Sequence, residues 1–95
     1  MTKIVDRVHT DQHEIARIES LIARLDDESI VELTLDDGRR LTGLVTVRPT
    51  IQTLRDADGR EGVNSLLRLD DPQQPGQSQH VWLDQVVDIF LLGSD

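Results

Sequence analysis

Two hydrophobic rhythms divide the chain. Ile15, Ile18, Leu21, Ile22 and Leu25 recur at spacings of three and four, with Arg17, Glu19, Ser20 and Arg24 between them, which predicts a helix over about 11–26 with one apolar stripe. Thr10 and Asp11 mark its start, and Asp11 with Glu14 has the spacing of a capping box. Asp26, Asp27 and Glu28 crowd the other end, where negative charge opposes the helix dipole and the helix should stop. From Ile30 the period becomes two. Val31, Leu33 and Leu35 alternate with Glu32 and Thr34, as in a half-buried strand, and Asp36-Asp37-Gly38 supplies a tight turn. A long second strand follows, in which Leu41, Gly43, Val45, Val47 and Ile51 share one parity. Gly43 inside that strand, with Pro49 after it, calls for a sharp bend or the close approach of another backbone.

Asp56-Ala57-Asp58-Gly59 is a second turn, and Val63, Ser65, Leu67 and Leu69 form the inward parity of a third strand. Asp70 to Gln79 holds two prolines, one glycine, four glutamines and one serine, and reads as a loop. Val81 and Leu83 mark a short fourth strand, Asp84-Gln85 a turn, and Ile89–Leu92 the last strand. The expectation is mainly β: an N-terminal α-helix and then a five-stranded, strongly bent antiparallel β-barrel over about 30–92, forming a single domain across residues 1–95.

Composition narrows the function. There are no cysteines, which excludes disulfides, iron–sulfur clusters and thiolate chemistry. Met1 to Val8 lacks the apolar run of a secretory signal, and no stretch reaches the length of a membrane span, so a cytoplasmic protein without a membrane partner is expected. Eighteen acidic against ten basic residues give a net charge of −8, which opposes nucleic acid as a partner. The imbalance is uneven: residues 29–69 carry six acids and six arginines, and residues 70–95 carry five acids and no base. The arginines of that middle stretch are Arg39, Arg40, Arg48, Arg55, Arg60 and Arg68.

One helix and then five strands, with a glycine in the bent second strand, resembles the Sm-like fold of the Sm and bacterial Hfq proteins over residues 12–92. Three segments carry the likeness: Val31 through Gly43, Val63 through Leu69, and Val81 through Ile89. The whole chain is similar to a family of small, uncharacterised bacterial proteins with a variant Sm-like fold. The resemblance places Asn64 where the family has an asparagine that hydrogen-bonds a bound base. It also implies edge-to-edge association through the last two strands. Two positions depart from it. Val63 stands where a stacking side chain would be, and Leu83-Asp84-Gln85 replaces the Arg-Gly that holds base and phosphate, so Asp84 puts an anion where the family has a cation.

Other constellations are explained by local structure. His9 and His13 are four apart, but Thr10 stands where a zinc protease needs its Glu, and His80 lies beyond a loop; no metal site is expected. The pairs Asp26-Asp27, Asp36-Asp37 and Asp70-Asp71 all adjoin turns or a helix end. With neither a G-x-S-x-G elbow nor a phosphate loop, no enzyme, catalytic residue or cofactor is expected. Trp82, Phe90 and Leu92 share the parity opposite to Val81, Leu83, Ile89 and Leu91, and form a candidate apolar interface. Ile89–Leu92 contains neither Lys nor Pro, so the last edge reads as unprotected. The leading expectation is a non-enzymatic binding module whose partner is protein, itself or another chain. The alternative is single-stranded RNA bound around Asn64 and the six central arginines.

Overall fold

The computed structural model describes residues 4–5, 7–74 and 76–94. Met1–Lys3, Asp6, Pro75 and Asp95 lie outside the described residues, and with them part of the opening stretch read for a signal and part of the expected 70–79 loop.

Helix α1 spans Gln12–Arg24, and its buried stripe is Ile18 and Leu21, continued by the C-capping Leu25. Asp11 caps the start by accepting the His13 N–H at 3.0 Å. The expected reciprocal bond from Glu14 is not made, because Glu14 turns along the helix to Arg17 at 2.6 Å. The helix stops one turn short of the acidic cluster's end, and Glu28 then takes a left-handed φ of 63° to lead into the sheet.

Strand β2 (Ser29–Leu35) alternates buried and half-buried positions, with Val31, Leu33 and Leu35 inward as the period of two requires. The five stretches expected after the helix appear as seven strands, because the second and third each break in two. The second becomes β3 (Arg40–Val45) and β4 (Gln52–Asp56), separated by the turn around Pro49. Val47 and Ile51, read as sharing the parity of Val45 in one strand, lie outside any strand and are 69% and 37% exposed. The third stretch becomes β5 (Glu61–Asn64) and β6 (Leu66–Asp70), broken at the fully buried Ser65, whose hydroxyl donates to Thr50 O at 2.7 Å. β7 (Ser78–Trp82), a 3-10 turn over Leu83–Gln85 and β8 (Val86–Ser94) complete the chain, while a two-residue β1 (Ile4–Val5) precedes the helix.

The strands form two sheets, β1-β4-β5 and β7-β6-β3-β2-β8, and among the described residues no ladder closes them into a barrel. β7 and β8 are therefore both edges, although only the 3-10 turn separates them in sequence. Gly43 is explained by close approach: a Cβ there would lie 2.9 Å from Leu69 Cβ and 3.1 Å from Asp70 O, where β6 joins β3. The main core gathers α1, the inward faces of β2, β3, β6 and β7, Leu83 of the turn, and Val86 and Ile89. Among the described residues, no helix is long and apolar enough to cross a membrane.

Candidate functional site

Which backbone groups of β8 face its free edge follows from the β2 hairpin. The Leu35 N–H donates to Arg39 O at 2.8 Å, so Leu35 and, by alternation, Leu33 and Val31 direct their backbone groups to β3. Thr34 and Glu32 then face β8, where they pair with Asp88 and Phe90. Ile89 and Leu91, which oppose Leu33 and Val31, point their N–H and C=O groups away from the sheet.

These outward groups are not all free. The Ile89 N–H is accepted by Asp88 Oδ1 at 2.8 Å, and Arg24 of α1 donates to the Ile89 carbonyl at 2.5 Å. Arg17 donates to Val86 O at 2.6 Å and to Asp84 O at 2.8 Å. The edge read as unprotected is thus capped over its first half by two helix arginines and one aspartate. The last half differs. The register slips between Ile30 and Val31, which leaves Leu92 bulged out of the ladder. Phe90, Leu91 and Leu92 are 55%, 69% and 57% exposed. Leu91, expected inward with Ile89, is turned out at this edge, where no further strand covers it. Val87, in a second bulge, is exposed as well. Trp82 does not join this strip by pairing: it ends β7, on the other edge in ladder order, opposite Leu66.

The base-binding corner implied by the resemblance is internally tied. Asn64 is 2% exposed, its amide donating to Arg7 O at 3.3 Å and accepting the Ser65 N–H at 2.8 Å. Asp84 is buried beside it, and its Oδ2 is hydrogen-bonded to His9 Nε2 at 3.0 Å and ion-paired with Arg7 Nε at 3.2 Å. Its Oδ1 is buried without a hydrogen-bond partner among the described residues. Arg7, Asn64, Trp82, Asp84 and Gln85 line a cavity of about 20 Å³ there. That is room for one water and not for a nucleobase. His9 therefore serves Asp84, and His13 lies exposed on the helix.

Four of the six central arginines are paired with acids. Arg39 pairs with Asp37 at 2.7 Å, Arg68 with Asp70 at 2.8 Å, Arg55 with Glu61 at 3.7 Å, and Arg48 with Asp26. Arg40 and Arg60 are exposed, with no ion pair among the described residues. The Arg39 N–H holds the Asp37 carboxyl below the usual carboxylate range, and the Thr46 hydroxyl, followed by Arg68, does the same for Asp70. Glu14 is lowered chiefly by its hydrogen bond from Arg17. Sequence reasoning named Phe90 and Leu92, both exposed at this edge, and passed over the exposed Leu91 and the caps Arg17, Arg24 and Asp88. No periodicity marks those caps, since their role depends on which backbone groups the ladder leaves outward.

Comparison with known proteins agrees with this architecture. A protein-family model described as Domain of unknown function (DUF3247) matches residues 2–92. The crystal structure of XC5848 from Xanthomonas campestris, described as adopting a novel variant of Sm-like motif, matches with a TM-score of 0.88 and 41% sequence identity, covering 95% of this chain and 97% of that one. No curated protein matches.

Proposed function

We propose that this chain, which belongs to the family described as Domain of unknown function (DUF3247), is a non-enzymatic, cytoplasmic binding module that acts on protein through the end of β8. The observation that carries this reading is the juxtaposition at Phe90–Leu92 of three exposed apolar side chains with an outward-facing backbone at Leu91. A strand that adds there gains main-chain hydrogen bonds and buries apolar surface together, as strand addition requires. RNA binding at Asn64 is less well supported, because that amide is buried and engaged and four of the six central arginines face acidic partners.

Light scattering across a concentration series, with the parent beside Phe90→Asp, tests the reading. The parent's mean mass should rise with concentration, or the parent should retain a protein partner that the variant loses. A parent that stays monomeric and retains no partner contradicts it.

A further inference from the structure

A strand added to β8 must bond to the outward N–H and C=O groups of that edge. At Ile89 both are taken, by Asp88 and Arg24, and the Val86 carbonyl is held by Arg17. Beyond Leu91 the bulge at Leu92 interrupts the regular ladder. Leu91 is thus left with an outward N–H and C=O that no other described residue bonds, between a capped segment and an irregular one.

We propose that this edge takes a second copy of the same chain, the two β8 strands pairing antiparallel across a two-fold axis at Leu91. The proposal rests on the protein-binding reading and names its partner. A two-fold axis through a hydrogen-bonded pair sets Leu91 against its own mate, and the two residues exchange both bonds. That contact needs the free groups of one residue per chain, which is what the caps leave. A head-to-tail contact of β8 with the β7 edge of another copy that extends along the strand meets the caps at Val86 and Ile89. Side-chain chemistry points the same way. Around the axis Leu91 meets its own mate and Phe90 meets Leu92 of the other copy, apolar against apolar, whereas β7 presents the exposed polar residues Ser78, Gln79 and His80. Charge also favours self-pairing here. The chain carries a net −8, yet from Val86 to Gly93 the one ionisable residue is Asp88, 3.9 Å from Arg24. Two like-charged copies meet on this segment with little mutual repulsion.

The absence of native cysteine makes the test direct. Hydrogen-bonded antiparallel residues have Cα atoms about 5.5 Å apart, within disulfide range. Under mild oxidation Leu91→Cys should therefore link to itself as a covalent dimer. His80→Cys alone should not, and a mixture of the two should yield the Leu91→Cys homodimer. Predominant linkage between positions 80 and 91 overturns the two-fold proposal while the protein-binding reading survives. A parent that is monomeric by light scattering, with no cross-linking beyond that of freely diffusing thiols, overturns the proposal; if it also retains no protein partner, the reading falls with it. As a second measure, Leu91→Pro removes the outward N–H without touching the ladder to β2. It should keep the parent's far-ultraviolet circular dichroism and weaken self-association by about tenfold or more, the scale of a lost pair of hydrogen bonds. Unchanged association in a folded Leu91→Pro protein counts equally against the proposal.

Discussion

The Asn64–Asp84 corner and the end of β8 are finished in opposite ways. In the corner, a buried amide and a buried carboxylate are bound by Arg7, His9 and the Ser65 backbone, and one small cavity remains. At the end of β8, the apolar side chains are outside and the backbone of Leu91 faces away from the sheet. Polar groups do not identify the site when their hydrogen bonds are already made internally. An exposed apolar strip beside free backbone is the less ordinary feature, and the proposed division gives stability to the first region and recognition to the second.

The largest test of that division compares two leucines. Leu83 is fully buried in the 3-10 turn, and Leu83→Ala should cost about 2–5 kcal/mol by chemical denaturation, whereas exposed Leu91→Ala should stay within about 0.5 kcal/mol. Equal losses would show that the strand end is part of the core. Next comes Asp84→Ala, which removes the hydrogen-bond partner of His9 and the ion-pair partner of Arg7 and should cost about 1–3 kcal/mol. Arg7→Ala should cost less than about 1 kcal/mol, because Arg7 is 56% exposed. Asn64→Ala should lose about 1 kcal/mol for its internal hydrogen bonds and leave a titration with uridine-rich RNA flat, as in the parent. An RNA affinity that vanished in Asn64→Ala would return function to the corner.

The smallest effect concerns pH. Arg17 bonds Glu14 while it holds the Asp84 and Val86 carbonyls, so it ties the helix to the corner and to the start of β8. The Glu14 pKa is lowered in the folded protein, so its contribution is present above the unfolded value and is lost as pH falls through the folded one. Glu14→Gln should therefore lower stability slightly at neutral pH and flatten the fall on the acid side, parent and variant converging below the ordinary carboxylate range. A parent and variant with parallel acid limbs would remove Glu14 from that linkage.

Local patterning made much of the fold legible. The helix expected over about 11–26 forms over Gln12–Arg24, and the inward parity of Val31, Leu33 and Leu35 holds. Gly43 called for a sharp bend or a close backbone approach, and Asp70 O at 3.1 Å from a Cβ built there supplies the approach. What could not be read depends on neighbours in space. Val47 and Ile51 continued a parity on paper, but nothing in a list of residues reveals that Pro49 divides the strand into members of two sheets. Leu91 has the inward parity of Ile89, and only its place at an uncovered edge turns it out. Asn64 had the right type and position for a ligand contact, yet the chain before the helix folds back over it.

The pairing of β2 with β8 also sets the order in which the molecule can be completed. Ser29 lies opposite Ser94 and Leu33 opposite Ile89, so one of the earliest strands waits for one of the latest. During synthesis β2 can engage β3 at once, while its other flank lacks a mate until the residues of β8 have left the ribosome. Such long-range closure slows folding and lengthens the interval in which a nascent strand can be captured by something else.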